Sequence, residues 1–198
     1  MAGIRLVVGL GNPGPRYALT RHNVGAVWVE SLAQRFGFAW REETRFKGRV
    51  ARGDLFGHDI RFLLPVTFMN LSGESVGPFA SFHKIAPAEI LVAYDEMAFE
   101  PGVVRLKQGG GDNGHNGVRD VIRALGNDAS FLRLRIGVGH PGDRDRVTGY
   151  LTGARMPADE RTRIEAGLAF PDEVLEHLFN GALGKAMNVL HARSAGES

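Results

Sequence analysis

The chain of 198 residues contains no cysteine. Disulfides, thiolate nucleophiles and cysteine-ligated metal sites are therefore excluded. Long apolar runs are also missing. The amino-terminal apolar segment is too short for the core of a signal peptide, and no stretch reaches the ~18 apolar residues that a membrane span needs. We therefore expect a soluble, cytoplasmic protein that does not bind membranes.

The sequence has no marked excess of charge of one sign, because 24 Lys and Arg residues face 22 Asp and Glu residues. This balance argues against a disordered or histone-like chain, because such chains carry a strong excess of one charge. An apolar content of 43% suits one core of ordinary depth at this length, but not two full domains. Glycine, in contrast, is abundant at 27 residues, which is about twice the usual ~7%. Since the glycines follow no sequence repeat, we expect them to serve individual turns and close backbone contacts.

Apolar periodicity predicts strands that alternate with helices along the chain. The predicted strands cover residues 4–9, 46–52, 60–66, 90–95, 103–107 and 132–138. The predicted helices cover residues 24–36, 72–83, 116–125, 157–169 and 171–190. This order predicts an α/β fold: a single globular domain with a mixed, mostly parallel twisted sheet surrounded by helices. We place this domain at residues 1–190 and a flexible tail at 191–198.

A GxGxxG pattern at residues 9–14 follows the first predicted strand and matches the spacing of dinucleotide-binding sites. Such a site needs a helix that begins within the glycines, so that its amides face the pyrophosphate. Pro13 and Pro15 remove two of those amides, and the helical pattern begins only near Val24. The context therefore argues against a nucleotide cofactor.

The segment 73–77, Gly-Glu-Ser-Val-Gly, fits the nucleophile elbow of serine esterases. Asp95 and then His115 or His140 follow in the chain order of such a triad. An elbow serine sits on a sharp turn directly after a buried strand, whereas Ser75 falls in the first turn of a predicted helix. This interpretation stays open as the alternative, because it predicts a covalent intermediate.

Polar side chains gather where predicted strands end, which is where open α/β sheets place their binding sites. They are a histidine, a carboxylate and three asparagines: His22, Asp95, Asn12, Asn70 and Asn116. Each one alone is explained by a turn, a helix cap or an exposed side chain. Together they are the parts of a hydrolytic site without a side-chain nucleophile. The imidazole takes a proton from water, the carboxylate orients the imidazole, and the amides bind a carbonyl group.

Two predicted strands alternate cationic with apolar side chains. Arg133 and Arg135 share one face of the last strand, about 7 Å apart, and Arg105 and Lys107 repeat the pattern on residues 103–107. Four cations on the outer faces of two strands suit the phosphates of RNA, although two solvent-exposed faces would show the same pattern.

Four motifs, taken in their order along the chain, resemble those of bacterial-type peptidyl-tRNA hydrolases. They are GLGNPG at 9–14, TRHNVG at 20–25, TFMNLSG at 67–73 and GHNG at 114–117. The resemblance continues through residues 133–142 and extends to about residue 190. It implies an enzyme without metal or other cofactor that cleaves the ester between a peptide and the 3′ ribose of its tRNA. It also implies a monomeric α/β protein that recycles tRNA from abandoned translation.

Matched position by position, the resemblance assigns the catalytic roles. His22 corresponds to the general base that activates water, and Asp95 to the carboxylate that pairs with it. Asn12, Asn70 and Asn116 correspond to amides that position the water and hold the peptide main chain.

The resemblance also implies how the substrate is bound. Met69 and His115 would line the cleft, with Tyr17 near its mouth. Lys107 and Arg135 correspond to contacts with tRNA phosphate near the acceptor stem and 3′ CCA end, and the strand pattern adds Arg133 and Arg105 to this group.

Overall fold

The structure, a computed structural model, describes residues 2–195. Seven strands form one sheet: β1 Leu6–Gly9, β2 Arg41–Glu43, β3 Gly48–Leu55, β4 His58–Pro65, β5 Ile90–Glu96, β6 Val104–Gln108 and β7 Leu132–Gly137. The described part of the chain also contains six α-helices: α1 Val24–Arg35, α2 Gly73–Phe82, α3 Asn116–Ala124, α4 Ala158–Leu168, α5 Asp172–Phe179 and α6 Leu183–Ala195. Strands and helices interleave, as the apolar patterns predict.

The sheet has the strand order β2-β3-β4-β1-β5-β7-β6. The four central strands, β4, β1, β5 and β7, are mutually parallel. Antiparallel pairs occur at both edges, where β3 pairs with β4 and with β2, and β6 pairs with β7. The predicted mixed, mostly parallel sheet is therefore confirmed.

Helices cover both faces of the sheet and create two apolar layers. Along β1, Leu6 and Val8 belong to the layer that includes Val76 of α2 and Val121 of α3, whereas Val7 belongs to the opposite layer, which includes residues of α1 and α4 to α6. Central strands covered on both faces are apolar at successive positions rather than alternately. This explains why the first strand reads as a continuous apolar run.

The close approach of α1 to the sheet fixes the beginning of that helix. A Cβ atom on Gly25 would lie 2.1 Å from the backbone oxygen of Ala93 in β5, so only glycine permits this contact. The approach places the residues that precede α1 beside the carboxyl end of β5. The side chains at positions 22 and 95 meet there.

Three elements differ from the sequence-based expectation. The short edge strand β2 was not predicted, because its residues are polar and largely exposed. The single helix predicted over 171–190 is two helices, α5 and α6, and Gly181 between them has a φ of 74°. Helix α6 continues to Ala195, so the domain boundary predicted at residue 190 falls inside this helix. Residues 196–198 of the predicted tail lie outside the described residues.

No helix within residues 2–195 is both long and apolar enough to cross a membrane.

Candidate active site

His22 and Asp95 form the centre of the site. His22 lies in the 3-10 turn Arg21–Asn23 that leads into α1, and Asp95 lies near the carboxyl end of β5. The Nδ1 atom of His22 is 2.9 Å from both carboxylate oxygens of Asp95. The Asp95 side chain is only 1% exposed. Because a carboxylate accepts hydrogen bonds, it holds the imidazole proton on Nδ1 and leaves Nε2 of His22 as a proton acceptor.

A second imidazole binds the same carboxylate. His115 Nε2 lies 2.8 Å from Asp95 Oδ1, and the His22 and His115 ring centroids are 5.0 Å apart. His115 is also the N-cap of α3, where its Nδ1 accepts a hydrogen bond from the Val118 amide at 3.3 Å. The sequence analysis places His115 in the cleft but does not predict its contact with Asp95.

The Asp95 carboxyl and the His22 imidazole shift each other's pKa. Burial alone raises the pKa of the Asp95 carboxyl, but the His115 and His22 imidazoles lower it by more, and the pKa lies well below its usual range. Burial lowers the pKa of His22, whereas the Asp95 carboxylate raises it, and the net pKa is above the usual value. Asp95 is thus an anion at neutral pH, and its charge favours the protonated form of the neighbouring His22.

Asn12 is held in place by its neighbours. Its Oδ1 accepts a hydrogen bond from the Met69 amide at 2.7 Å, and Asn23 binds its backbone N–H and C=O groups, each at 2.9 Å. The Nδ2 group of Asn12 makes no hydrogen bond within the described part of the chain, and the residue lines the cleft. Asn23, the residue that precedes α1, makes no side-chain cap hydrogen bond to that helix, because its side chain bridges to Asn12 instead.

These residues line a cleft of about 380 Å³. Its walls include seven of the residues that the sequence analysis singled out: Asn12, His22, Met69, Asn70, Asp95, His115 and Asn116. Tyr17 is not among the lining residues, but its ring packs edge-on against Phe68, which does line the cleft, with the centroids 6.5 Å apart. The structure therefore brings the predicted catalytic and cleft residues together and places Tyr17 at the margin.

One wall of the cleft was not predicted. Val147, Thr148, Leu151 and Thr152 line it, and residues Gly149–Gly153 form a π-helix. Arg21, the neighbour of His22, fixes this wall to the site. Its guanidinium donates to the backbone oxygen of Tyr150 and packs 3.8 Å from the Tyr150 ring, and it also makes two 3.0 Å hydrogen bonds to Glu160. In the sequence, the glycines at the two ends of this π-helix, Gly149 and Gly153, are the signal of an irregular backbone.

The four predicted phosphate-binding cations have different surroundings. Lys107 is exposed and forms no salt bridge within residues 2–195. Arg135 lies 3.2 Å from Glu96 and is mostly buried. Arg105 is partly buried, and its guanidinium donates to the backbone oxygen of Val104. Lys107 is therefore the cation that is most available to a phosphate.

The expectation that Arg133 lies on an outer face of the sheet is wrong. Only 2% of this residue is exposed, because the glycine-rich loop folds over its face of β7. The guanidinium donates to the backbone oxygens of Gly110 and Gly111 and lies 4.6 Å from the Phe131 ring. This placement does not support a direct contact between Arg133 and phosphate, and it makes the arginine a support of the loop that leads to His115.

His22, Asp95 and His115 also offer three possible metal-ligand atoms within 4.8 Å of one another. The same atoms form the hydrogen bonds described above. A carboxylate between two imidazole N–H donors is a satisfied arrangement that requires no ion.

The structure does not assemble the serine-esterase alternative. Ser75 is fully buried in α2, and its hydroxyl has no hydrogen-bond partner within the described residues. It does not line the cleft that contains Asp95 and His115. The nucleotide-binding alternative is also unsupported, because α1 begins only at Val24, well after the glycines of residues 9–14.

Comparisons with known proteins agree with this geometry. The family model described as peptidyl-tRNA hydrolase matches residues 6–197. A peptidyl-tRNA hydrolase of Yersinia pestis is 51% identical over 98% of this chain and 99% of its own, and one of Shewanella frigidimarina is 50% identical over 98% and 100%. The crystal structure of peptidyl-tRNA hydrolase from Acinetobacter baumannii superimposes with a TM-score of 0.91 at 45% identity, covering 96% of this chain and 95% of that one.

Proposed function

Since the chain belongs to the peptidyl-tRNA hydrolase family, we propose that it hydrolyses the ester between a peptide and the 3′ ribose of its tRNA. The reaction returns free tRNA and peptide from prematurely released peptidyl-tRNA. The observation that carries the proposal is the His22–Asp95 pair, in which Nδ1 is bound at 2.9 Å and Nε2 is left as a base in a cleft lined by amides.

In this mechanism, Nε2 of His22 accepts a proton from a water molecule as the water oxygen attacks the ester carbonyl carbon. The charge that develops on the imidazole is stabilised by Asp95, which stays ionised. Amide donors such as Nδ2 of Asn12 stabilise the negative charge on the carbonyl oxygen. When the bond to the 3′ oxygen breaks, the imidazolium returns its proton to that oxygen. No group of the protein becomes acylated.

The cleft offers both polar and apolar contacts to the peptide. Asn70 and Asn116 present amides to its main chain, whereas Met69, Val147 and Leu151 supply an apolar surface. Main-chain contacts do not discriminate between sequences, so this arrangement suits an enzyme that accepts many peptides. Phe68 and Tyr17 at the margin suit the nucleotide side of the substrate.

We assign the tRNA contact to the surface near Lys107, with Arg135 and Arg105 beside it on the paired strands β6 and β7. Contacts from these cations reach the phosphates of the acceptor stem while the 3′ CCA end enters the cleft. Phosphate contacts carry no sequence information and so suit many tRNAs. We propose that the enzyme acts as a monomer in the cytoplasm, without metal or other cofactor.

The first test incubates purified wild type and Ser75→Ala with an N-blocked aminoacyl-tRNA and follows the release of free tRNA. We expect release by both proteins at similar rates. Loss of activity in Ser75→Ala, with the fold intact, would favour the serine-esterase alternative. No release by the wild type would overturn the proposed function.

A further inference from the structure

Asp95 binds two imidazoles, but the proposed mechanism uses only one of them. His115 Nε2 is 2.8 Å from Oδ1, and His22 Nδ1 is 2.9 Å from the same oxygen. The carboxylate is almost completely enclosed, so the hydrogen bonds from these two rings replace the hydrogen bonds that water would make to it. The second imidazole therefore influences the electrostatic environment of the first.

The tautomer of His115 is fixed by helix α3. Its Nδ1 accepts a hydrogen bond from the Val118 amide at the first turn of that helix, so the ring proton is on Nε2, which faces Asp95. A second proton on Nδ1 would break the cap and would place a positive charge at the positive end of the helix dipole. His115 thus presents its Nε2–H to Asp95 as a hydrogen-bond donor.

Resting on the proposed function, we propose that His115 is a positioning residue that acts through Asp95. Its Nε2–H occupies Oδ1 and limits how strongly the carboxylate stabilises the imidazolium that forms when Nε2 of His22 takes a proton from water. The base can then return this proton to the leaving 3′ oxygen. A carboxylate with a single imidazole partner would stabilise the imidazolium more and leave less neutral base at physiological pH.

The other ionisable groups around the pair are engaged elsewhere. Glu96, which follows Asp95 in β5, lies 3.2 Å from Arg135, and Asp112 in the glycine-rich loop pairs with Arg119 of α3 at 3.1 Å. Tyr94 packs against His115 in an edge-to-face arrangement with the ring centroids 5.0 Å apart, and it does not bind Asp95. On the side of the 3-10 turn, Arg21 is bound to Glu160. His115 is therefore the group in direct contact with Asp95 that balances His22.

Two variants of His115 separate the donor from the helix cap. His115→Asn keeps an oxygen that can cap α3 but is too short to reach Asp95, because asparagine ends where Nδ1 of histidine stands. His115→Gln places an amide N–H at the position of Nε2 and sacrifices the cap. The measurement is the dependence of kcat/KM on pH with an N-blocked aminoacyl-tRNA, with far-UV circular dichroism and a thermal melt for each protein.

We expect the acid limb of the His115→Asn profile to move upward by about 0.5 to 1 pH unit, since Asp95 then acts on His22 alone. The His115→Gln limb should stay within about 0.3 unit of the wild type, although the protein melts earlier. If the His115→Asn protein folds and the acid limb of its pH profile stays at the wild-type position, the proposal is overturned and His115 serves only as a helix cap. Failure of the proposed function is distinguishable, because the wild type itself would then release no tRNA.

Discussion

Replacing Asp95 with asparagine inverts the proton arrangement of the site with little change in shape. The new side chain would have one acceptor oxygen and one donor amide, where Asp95 accepts from both His22 and His115. The donor group of His115 is fixed by its bond to the Val118 amide, so the oxygen of the new side chain turns towards it. The amide N–H2 then faces Nδ1 of His22 and forces the ring proton onto Nε2, which is the atom that accepts a proton from water in the proposed mechanism.

The magnitude follows from the separation of the two groups. His22 Nδ1 lies 2.9 Å from each carboxylate oxygen, and unit charges at this separation attract by about 6 kcal/mol at an effective dielectric constant of about 20. The amide dipole and reorganised water recover part of this loss. Since each ~1.4 kcal/mol is a factor of ten in rate, we expect kcat/KM to fall by about 10³-fold.

The assay is the release of free tRNA from an N-blocked aminoacyl-tRNA under single-turnover conditions, which reports the chemical step. A thermal melt provides the control, because the uncharged amide still fits the enclosed position. A folded Asp95→Asn protein that loses less than about tenfold in rate would refute the role of the carboxylate in holding His22.

Two other predictions address RNA binding and packing. Lys107→Ala should weaken tRNA binding and reduce the slope of log Kd against log salt by about one, with little effect on a short ester that lacks the tRNA body; equal losses on both substrates would contradict a phosphate contact. Gly25→Ala should lower the free energy of unfolding by about 3 kcal/mol or more, because the new Cβ would lie 2.1 Å from the Ala93 oxygen. Gly184→Ala in the first turn of α6, where a Cβ meets open space, is the matched control and should raise it by about 0.5–1 kcal/mol in urea unfolding; similar losses in both variants would contradict the packing argument.

The sequence predicted the elements of the central sheet because apolar periodicity is strong there. Strands β1 and β5 are covered on both faces, and their runs of Val, Leu and Ile are visible without any tertiary information. The strand ends also indicated where polar residues would collect. The structure brings His22 and Asp95 into contact across 73 positions of the chain, at the place that the strand order implies.

The remaining features depend on tertiary contacts that local pattern does not encode. Arg133 has the alternation of an exposed strand face, but a loop about 20 residues earlier covers it. The bond between His115 and Asp95 requires that a loop and a strand end meet, which no spacing rule provides. The cleft wall at residues 147–152 has no motif. Gly181, in contrast, was a readable helix stop that the continuous apolar stripe from α5 to α6 obscured.

The central claim is that His22 removes a proton from the attacking water. The measurement that tests it most directly compares wild type with His22→Ala in the release of tRNA from an N-blocked aminoacyl-tRNA, after both proteins have been shown to melt at similar temperatures and to bind tRNA with similar affinity. The account predicts a loss of about 10²- to 10⁴-fold in rate without loss of binding. A folded His22→Ala protein that keeps most of the wild-type rate would contradict it.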